Sequence, residues 1–413
     1  MPKAMIITVG TGRTGDDIAG AISLSIRREN PDYVIFLTSP VSKQQTVPLI
    51  DKVALENRKI ETDVWAGTDD VEELYMHYVQ LIRSVITDGY CSEDIVIDYT
   101  SGTKPMSAAL FAAGIALEVG SINYTAGKRD STGRVISGTE RPIPIKPLII
   151  FAENRITKAQ ELFNRYQFQA AKMLLESLNA TIQEASITTR VDFLLNLIEA
   201  YWLWDTFRLK EALTLFGKIK AEGLMNNHPA RETFQKNFII LSQGSANKYS
   251  IHRLVDLFHN IHRRMQEGKY DDAQARIYRL FEYMAQVRLY NWNNKKIETA
   301  KFKSDVLPEN IKDKYKLQTN ENSEIENLSM VNAFALLEDL NDALGIDFMQ
   351  QYKKDVSVIR RLLNKRNNSI LAHGFNASDH NDCEQLLGIA KDFLDKYFPE
   401  WAKEQDKAVF PKL

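Results

Sequence analysis

Residues Ile95-Val96-Ile97-Asp98-Tyr99-Thr100-Ser101-Gly102-Thr103-Lys104-Pro105-Met106-Ser107 decide the fold of this chain. The β-branched run at the start favours a pleated strand. Thr103 is a helix N-cap residue, and Pro105 suits the first helical turn that follows it. Strand, tight polar turn and Ala-rich helix thus follow one another within a few residues. That order is the signature of a strand crossing over to a parallel neighbour.

The pattern repeats outward through the first 150 residues. Strands are expected at Ala4–Val9, Tyr33–Leu37, Thr62–Ala66, Ile95–Tyr99, Ser121–Thr125 and Leu148–Phe151. Between the first five lie helical patterns at Asp16–Arg28, Lys43–Leu55, Val71–Thr87 and Lys104–Val119. Such alternation implies an α/β domain with a doubly wound parallel sheet. Gly127–Gly138 reads as a turn-centred hairpin, after which Pro142, Pro144 and Pro147 punctuate the exit from the domain.

Beyond residue 152 the strand signal disappears. Helical periodicity runs through Ala159–Leu178, Arg190–Trp204, Lys210–Lys220, Ala230–Leu241, His252–Gln266, Asp271–Asn291, Ser329–Leu344, Val356–Leu371 and Asp382–Tyr397, with Lys295–Ser323 as a loop of weak helix. The expected organisation is an α/β domain over residues 1–151, a helical connector over 152–250 and an all-α domain over 251–413. Three segments share an aromatic–Ala spacing: Arg165–Ala171, Phe207–Ala212 and Tyr270–Ala273. Their unequal intervals favour ordinary helix packing over a fixed-period repeat array.

Bulk composition narrows the partners. With 52 basic and 54 acidic residues, the net charge is −2, so contact with nucleic acid is expected in a local groove. Cys91 and Cys383 are far apart and sit in no metal-binding cluster, which speaks against a disulfide scaffold and a zinc site. Neither a signal peptide nor a membrane span is read from the chain, and the expected setting is cytoplasmic.

Two clusters of residues carry chemistry. At the carboxyl edge of the sheet, where doubly wound folds bind ligands, the turn Gly10-Thr11-Gly12 follows the first strand and Thr38-Ser39 the second. Thr100, Ser101, Gly102, Thr103, Lys104 and Met106 join them there. Backbone N–H groups and a helix dipole converge on this rim, which carries little negative charge and suits a phosphate-bearing ligand. An N-cap and an exposed lysine account for Thr103 and Pro105, but leave Thr100, Ser101 and Lys104 over. In the helical part, Arg366-Asn367-Asn368-Ser369-Ile370-Leu371-Ala372-His373-Gly374 spaces an arginine and a histidine seven residues apart. On one helix they would share a face about 10 Å apart along the axis, with His373 in the last turn and Gly374 just past the end. The negative dipole end there favours a proton-donor role for the imidazole. A surface arginine and a helix-terminal histidine remain the plain alternative. His259, His262, Arg263 and Arg264 read as a solvated helix face; for Arg276, Arg279 and Glu282, ion pairing and substrate contact stay open.

The Gly10–Gly12 turn with Asp98-Tyr-Thr-Ser-Gly-Thr-Lys-Pro-Met106 resembles the CARF domain, the CRISPR-associated Rossmann-like sensor. The resemblance implies a homodimer whose rims form one pocket for a cyclic oligoadenylate acting as allosteric activator; Asp98 either supports the loop or touches the ligand. Arg366, the polar Asn367 and His373, with six intervening residues, resemble the HEPN ribonuclease motif at the long end of its spacing. The whole is similar to the CARF–HEPN ribonucleases of type III CRISPR systems. That implies single-stranded RNA as substrate, two Arg–His pairs meeting across a dimer, no metal, and cleavage to a 2′,3′-cyclic phosphate. Two other readings stand beside it. One is a ligand-responsive regulatory protein whose helical half docks a partner; the other adds slow cleavage of the activator by the rim, with Thr11, Ser39 or Thr103 positioning a ribose hydroxyl.

Overall fold

The computed structural model describes residues 2–12, 16–67, 69–128, 139, 141–145, 147–180, 182, 184–315, 320 and 323–413. The expected hairpin at Gly127–Gly138 therefore falls largely outside the described residues, as do Arg13, Thr14 and Gly15. The chain divides into two compact units, Met1–Ile156 and Thr157–Leu413.

In the first unit, β1 (Ala4–Val9) and β2 (Tyr33–Thr38) are apolar runs buried along their whole length. Strands covered on both faces read this way, without alternation. They join β3 (Lys59–Val64), β4 (Ile95–Asp98), β5 (Ser121–Ala126) and β6 (Arg141–Ile145) in the order β3-β2-β1-β4-β5-β6. The first five are parallel and β6 is antiparallel to β5. The connecting helices are α1 (Asp16–Glu29), α2 (Pro40–Gln45), α3 (Lys52–Leu55), α4 (Val71–Thr87) and α5 (Lys104–Ala116). One sheet face packs Ile6, Ile35 and Ile97 against Tyr78, Ile82 and Leu110 of α4 and α5. The other packs Met5, Phe36 and Val96 against Ile22 and Ile26 of α1. The chain reverses its direction of travel across the sheet between β1 and β4, so the loops after those strands flank the natural ligand crevice.

The second unit is built from α6 (Leu148–Asn164, which begins in the first), α7 (Phe168–Asn179), α8 (Ala185–Asp205), α9 (Leu209–Ala221), α10 (Arg231–Ala246), α11 (Ile251–Gln266) and α12 (Tyr270–Asn291). It continues through α13 (Glu309–Tyr315), α14 (Met330–Asp339), α15 (Ala343–Tyr352), α16 (Val358–Asn367), α17 (His380–Tyr397) and the one-turn α18 (Trp401–Glu404). A small hairpin of β7 (Lys301–Lys303) and β8 (Glu324–Glu326) interrupts the helices.

Several expectations give way here. Leu148–Phe151 is the start of α6, and the last strand is the proline-bearing Arg141–Ile145. Proline lacks a ladder donor but is tolerated on an edge strand, which β6 is. The helix expected over 43–55 is broken by a short turn of tight helix at Val47–Leu49, where Pro48 removes a donor. Lys295–Ser323 holds β7 and α13. The helix expected over 329–344 ends at Asp339; Asn341 (φ 58°) turns the chain and Asp342 caps α15.

The aromatic–Ala segments turn out to be one local motif used three times. Tyr166 (φ 62°), Phe207 (φ 59°) and Gly268 (φ 72°) each take the left-handed conformation after a helix. Each following N–H, of Gln167, Arg208 and Lys269, bonds back to a carbonyl five residues earlier at 2.9 Å. This is the Schellman closure of a helix end. The first closure also splits the helix expected over 159–178 into α6 and α7. Ala171, Ala212 and Ala273 then sit fully buried where the next helix packs.

Candidate functional site

In the α/β unit the loops after β1 and β4 interlock. Thr8 and Ser101 exchange hydrogen bonds, each hydroxyl donating to the other's backbone carbonyl. Gly10 N donates to Ser101 Oγ at 3.3 Å, and Thr46 Oγ1 donates to the Gly10 carbonyl at 2.8 Å. Two glycines permit the close approach. A Cβ on Gly10 would lie 2.8 Å from Gly102 N; one on Gly102, where φ is +93°, would lie 2.9 Å from Thr8 Cβ. Thr100 is held by Asp98 through its backbone N–H at 2.9 Å and its hydroxyl, and accepts from Thr125 N at 2.7 Å. Asp98 is 1% exposed, and burial pushes its carboxyl above the ordinary range although Ser25 and Thr100 donate to it.

The sequence-expected rim is thus only partly a surface. Thr38 is buried, with its hydroxyl donating to the Asp63 carbonyl at 3.0 Å, and Met106 lies in the core. Thr100 and Ser101, which an N-cap reading left without a purpose, bind the loops together. Ser39 is a capping residue whose Oγ accepts from Ser42 N at 3.1 Å. Gly12, Thr103 and Lys104 are exposed, and Gly10, Thr11, Ser39 and Gly102 are half-buried. Thr103 caps α5, accepting from Met106 N at 3.4 Å and donating to Asp69 at 3.3 Å. What is left exposed is Gly12, the start of α5 at Thr103 and the lysine that follows it, a combination that favours an anion. Thr8, Thr46 and Asn123, which accepts from Tyr99 N at 3.2 Å, support these loops and carry no motif that marks them in sequence.

In the helical unit, α16 ends at Asn367, so His373 does not lie in its last turn. Asn and Ser disfavour helix interiors because their side chains compete for the backbone. The chain instead folds into a tight loop. Ser369 N donates to the Arg366 carbonyl (3.0 Å), His373 N to that of Asn367 (3.0 Å), and Gly374 N to that of Ser369 (3.2 Å). Gly374 is needed for proximity: a Cβ there would collide with the Asn368 carbonyl oxygen. The loop's far end is tied to α12 by Ser378 N donating to Asp271 at 3.0 Å. At its near end Lys365 pairs with Asp379 (3.3 Å) and Asp382. His373 and Asn367 are exposed and Arg366 is half-buried. Arg366 Nη1 donates to Asn367 Oδ1 at 3.2 Å, its Nε is buried without a hydrogen-bond partner among the described residues, and its Cζ lies 4.4 Å from the Tyr278 ring centroid. Ile370, Leu371 and Phe375 of the same loop are 53%, 53% and 92% exposed.

The basic cluster on α11 is a correction. Arg263 and Arg264 are 3% and 8% exposed and both pair with Asp205, each at 2.6 Å. Burial, then the Arg263 and His262 charges, lower the His259 imidazole to about 4. Arg276 pairs with Asp272 at 2.8 Å and Arg279 with Glu282 at 2.6 Å, so the ion pairing expected of them is present. Among the described residues no group of His, Cys, Asp and Glu could hold a metal ion, and no helix is long and apolar enough to cross a membrane.

Residues 242–396 match the family model described as the Csm6 HEPN domain, and residues 151–239 the one described as the Csm6 6H domain. Among solved structures the chain is similar to Enterococcus italicus Csm6 bound to cyclic hexa-2′-fluoro-hexa-dAMP. The TM-score is 0.59 at 14% identity, over 99% of this chain and 98% of that one. No curated protein matches the chain by sequence.

Proposed function

Because the chain belongs to the Csm6 family of CARF–HEPN type III CRISPR effectors, we infer that it is a cytoplasmic, cyclic-oligoadenylate-activated endoribonuclease for single-stranded RNA. The Gly10–Gly12 and Gly102–Lys104 backbone, with Lys104 itself, binds activator phosphates. The cutting residues are Arg366, Asn367 and His373, and no metal takes part.

One observation carries this reading: backbone bonds turn the loop after α16 so that His373 N reaches the carbonyl of Asn367, which leaves the imidazole exposed and the guanidinium without a carboxylate partner among the described residues. In-line cleavage forms a 2′-O–P bond and breaks the P–O5′ bond. A base accepts the 2′-hydroxyl proton and an acid returns one to the leaving oxygen. Arg366 meets the non-bridging oxygens, where charge builds in the transition state. One loop offers one histidine for two proton transfers, so two copies complete the site. The exposed Ile370, Leu371 and Phe375 are an apolar surface on that same loop, suited to a second copy of the chain.

The test is cleavage of end-labelled single-stranded RNA in EDTA, with and without cyclic hexa-adenylate. The expected products carry 2′,3′-cyclic phosphate and 5′-hydroxyl ends. Products with 5′-phosphate ends, or cutting that EDTA stops, would refute the mechanism.

A further inference from the structure

A guanidinium in a folded protein is commonly held by a carboxylate, as Arg276 and Arg279 of α12 are. Arg366 is held another way. Among the described residues no carboxylate lies within ion-pair distance of it. Its contacts are the Asn367 side chain at 3.2 Å and the face of Tyr278, whose centroid is 4.4 Å from Cζ. A buried donor left without a partner among the described residues, as Arg366 Nε is, is destabilising, so the pose needs contacts that outweigh it.

The difference has a chemical meaning. A carboxylate would orient the guanidinium and cancel its field at a phosphate in the same act. An aromatic face attracts the cation through the ring quadrupole and fixes its plane without neutralising it. Burial and Glu282 raise the Tyr278 hydroxyl above its ordinary range, against the lowering by Arg366, so the ring stays a neutral phenol.

We propose that Tyr278 is the positioning residue for Arg366, its ring face holding the guanidinium plane so that the Nη edge meets the scissile phosphate with its charge uncompensated. The proposal rests on Arg366 being the phosphate-binding arginine. Tyr278 acts through Arg366, touches no reacting atom, and works by its face, not its hydroxyl.

The test measures RNA cleavage by the full chain at saturating cyclic hexa-adenylate for Tyr278→Phe, Tyr278→Leu, Tyr278→Met and Arg366→Ala. Each is assayed well below its melting midpoint. Tyr278→Phe keeps kcat within about twofold. Tyr278→Leu, and Tyr278→Met with its long unbranched side chain, each lower kcat about tenfold, on the scale of a desolvated cation–π contact, with KM for RNA and activator binding unchanged. Arg366→Ala cuts no RNA. Wild-type kcat in both the Leu and Met variants overturns the role of Tyr278 and leaves that of Arg366 standing. So does a Phe variant as impaired as Leu, or a loss confined to KM or to activator binding. Cutting at the wild-type rate by Arg366→Ala overturns the catalytic assignment itself.

Discussion

The two candidate loops are built by opposite means. After β4, the hydroxyls of Thr100 and Ser101 and the buried Asp98 hold the loop in place, and Thr103 at the start of α5 and Lys104 are left exposed. After α16, backbone hydrogen bonds turn the loop and the carboxylates of Asp271, Asp379 and Asp382 hold its ends, while Asn367 and His373 are left exposed. A rim that recognises anions needs fixed amides, and side chains there serve best as mortar. A loop that moves protons needs free side chains, and its backbone must be self-sufficient.

The largest test of this contrast is Gly374→Ala. Its methyl group would collide with the Asn368 carbonyl and undo the return of His373, so RNA cleavage should fall at least a hundredfold while activator binding stays unchanged. Gly102→Ala is the reciprocal experiment. It sets an alanine at φ +93° against Thr8, and should weaken cyclic hexa-adenylate binding tenfold or more with a lower melting midpoint. If either substitution impaired both functions equally, the division of labour between the loops would fail.

Acidification should separate the buried polar groups of the two units. His259 has a folded-state value of about 4, below its unfolded value of about 6.5. Its contribution is present above pH 6.5 and is lost as pH falls towards 4, up to roughly 3 kcal/mol by linkage. Asp98, raised by burial, has the opposite sign: its contribution survives acid and is lost as pH rises through its folded-state value. Melting curves at pH 7.5 and 5 should therefore show a fall that shrinks in His259→Asn. An unchanged slope in that variant would show that His259 does not titrate with folding.

The smallest effect belongs to Thr38. Its hydroxyl is turned to the Asp63 carbonyl, so Thr38→Val should change activator affinity less than twofold, where Lys104→Ala costs several-fold. Equal losses in calorimetric titrations of the two variants would mean that the rim reaches further along β2 than its burial allows.

Much of this architecture is legible in one dimension. The central strands are nearly continuous apolar runs because both faces are covered, and such runs need no neighbour to be recognised. The edge strand Arg141–Ile145 is different, since only the adjacency of β5 makes a proline-rich segment a strand. The candidate site residues fared similarly. Types and spacing marked both loops, yet whether Thr100 looks out or in depends on Asp98 and Thr125, partners brought together by the sheet. Arg366 and His373 were expected two turns apart on one helix; Asn368 and Ser369 end that helix, and the chain carries His373 back by a tight loop. Gly374, expected as a helix-end glycine, serves close approach. Tyr278 carried no chemical motif of its own, because its contact with Arg366 spans two helices.

The central claim is that the α/β loop binds and the helical loop cuts. It is met most directly by measuring cyclic hexa-adenylate binding and RNA cleavage in the same sample of His373→Ala. The account predicts wild-type affinity for the activator and no cleavage above background. Wild-type cleavage by that variant would contradict it, and so would loss of activator binding.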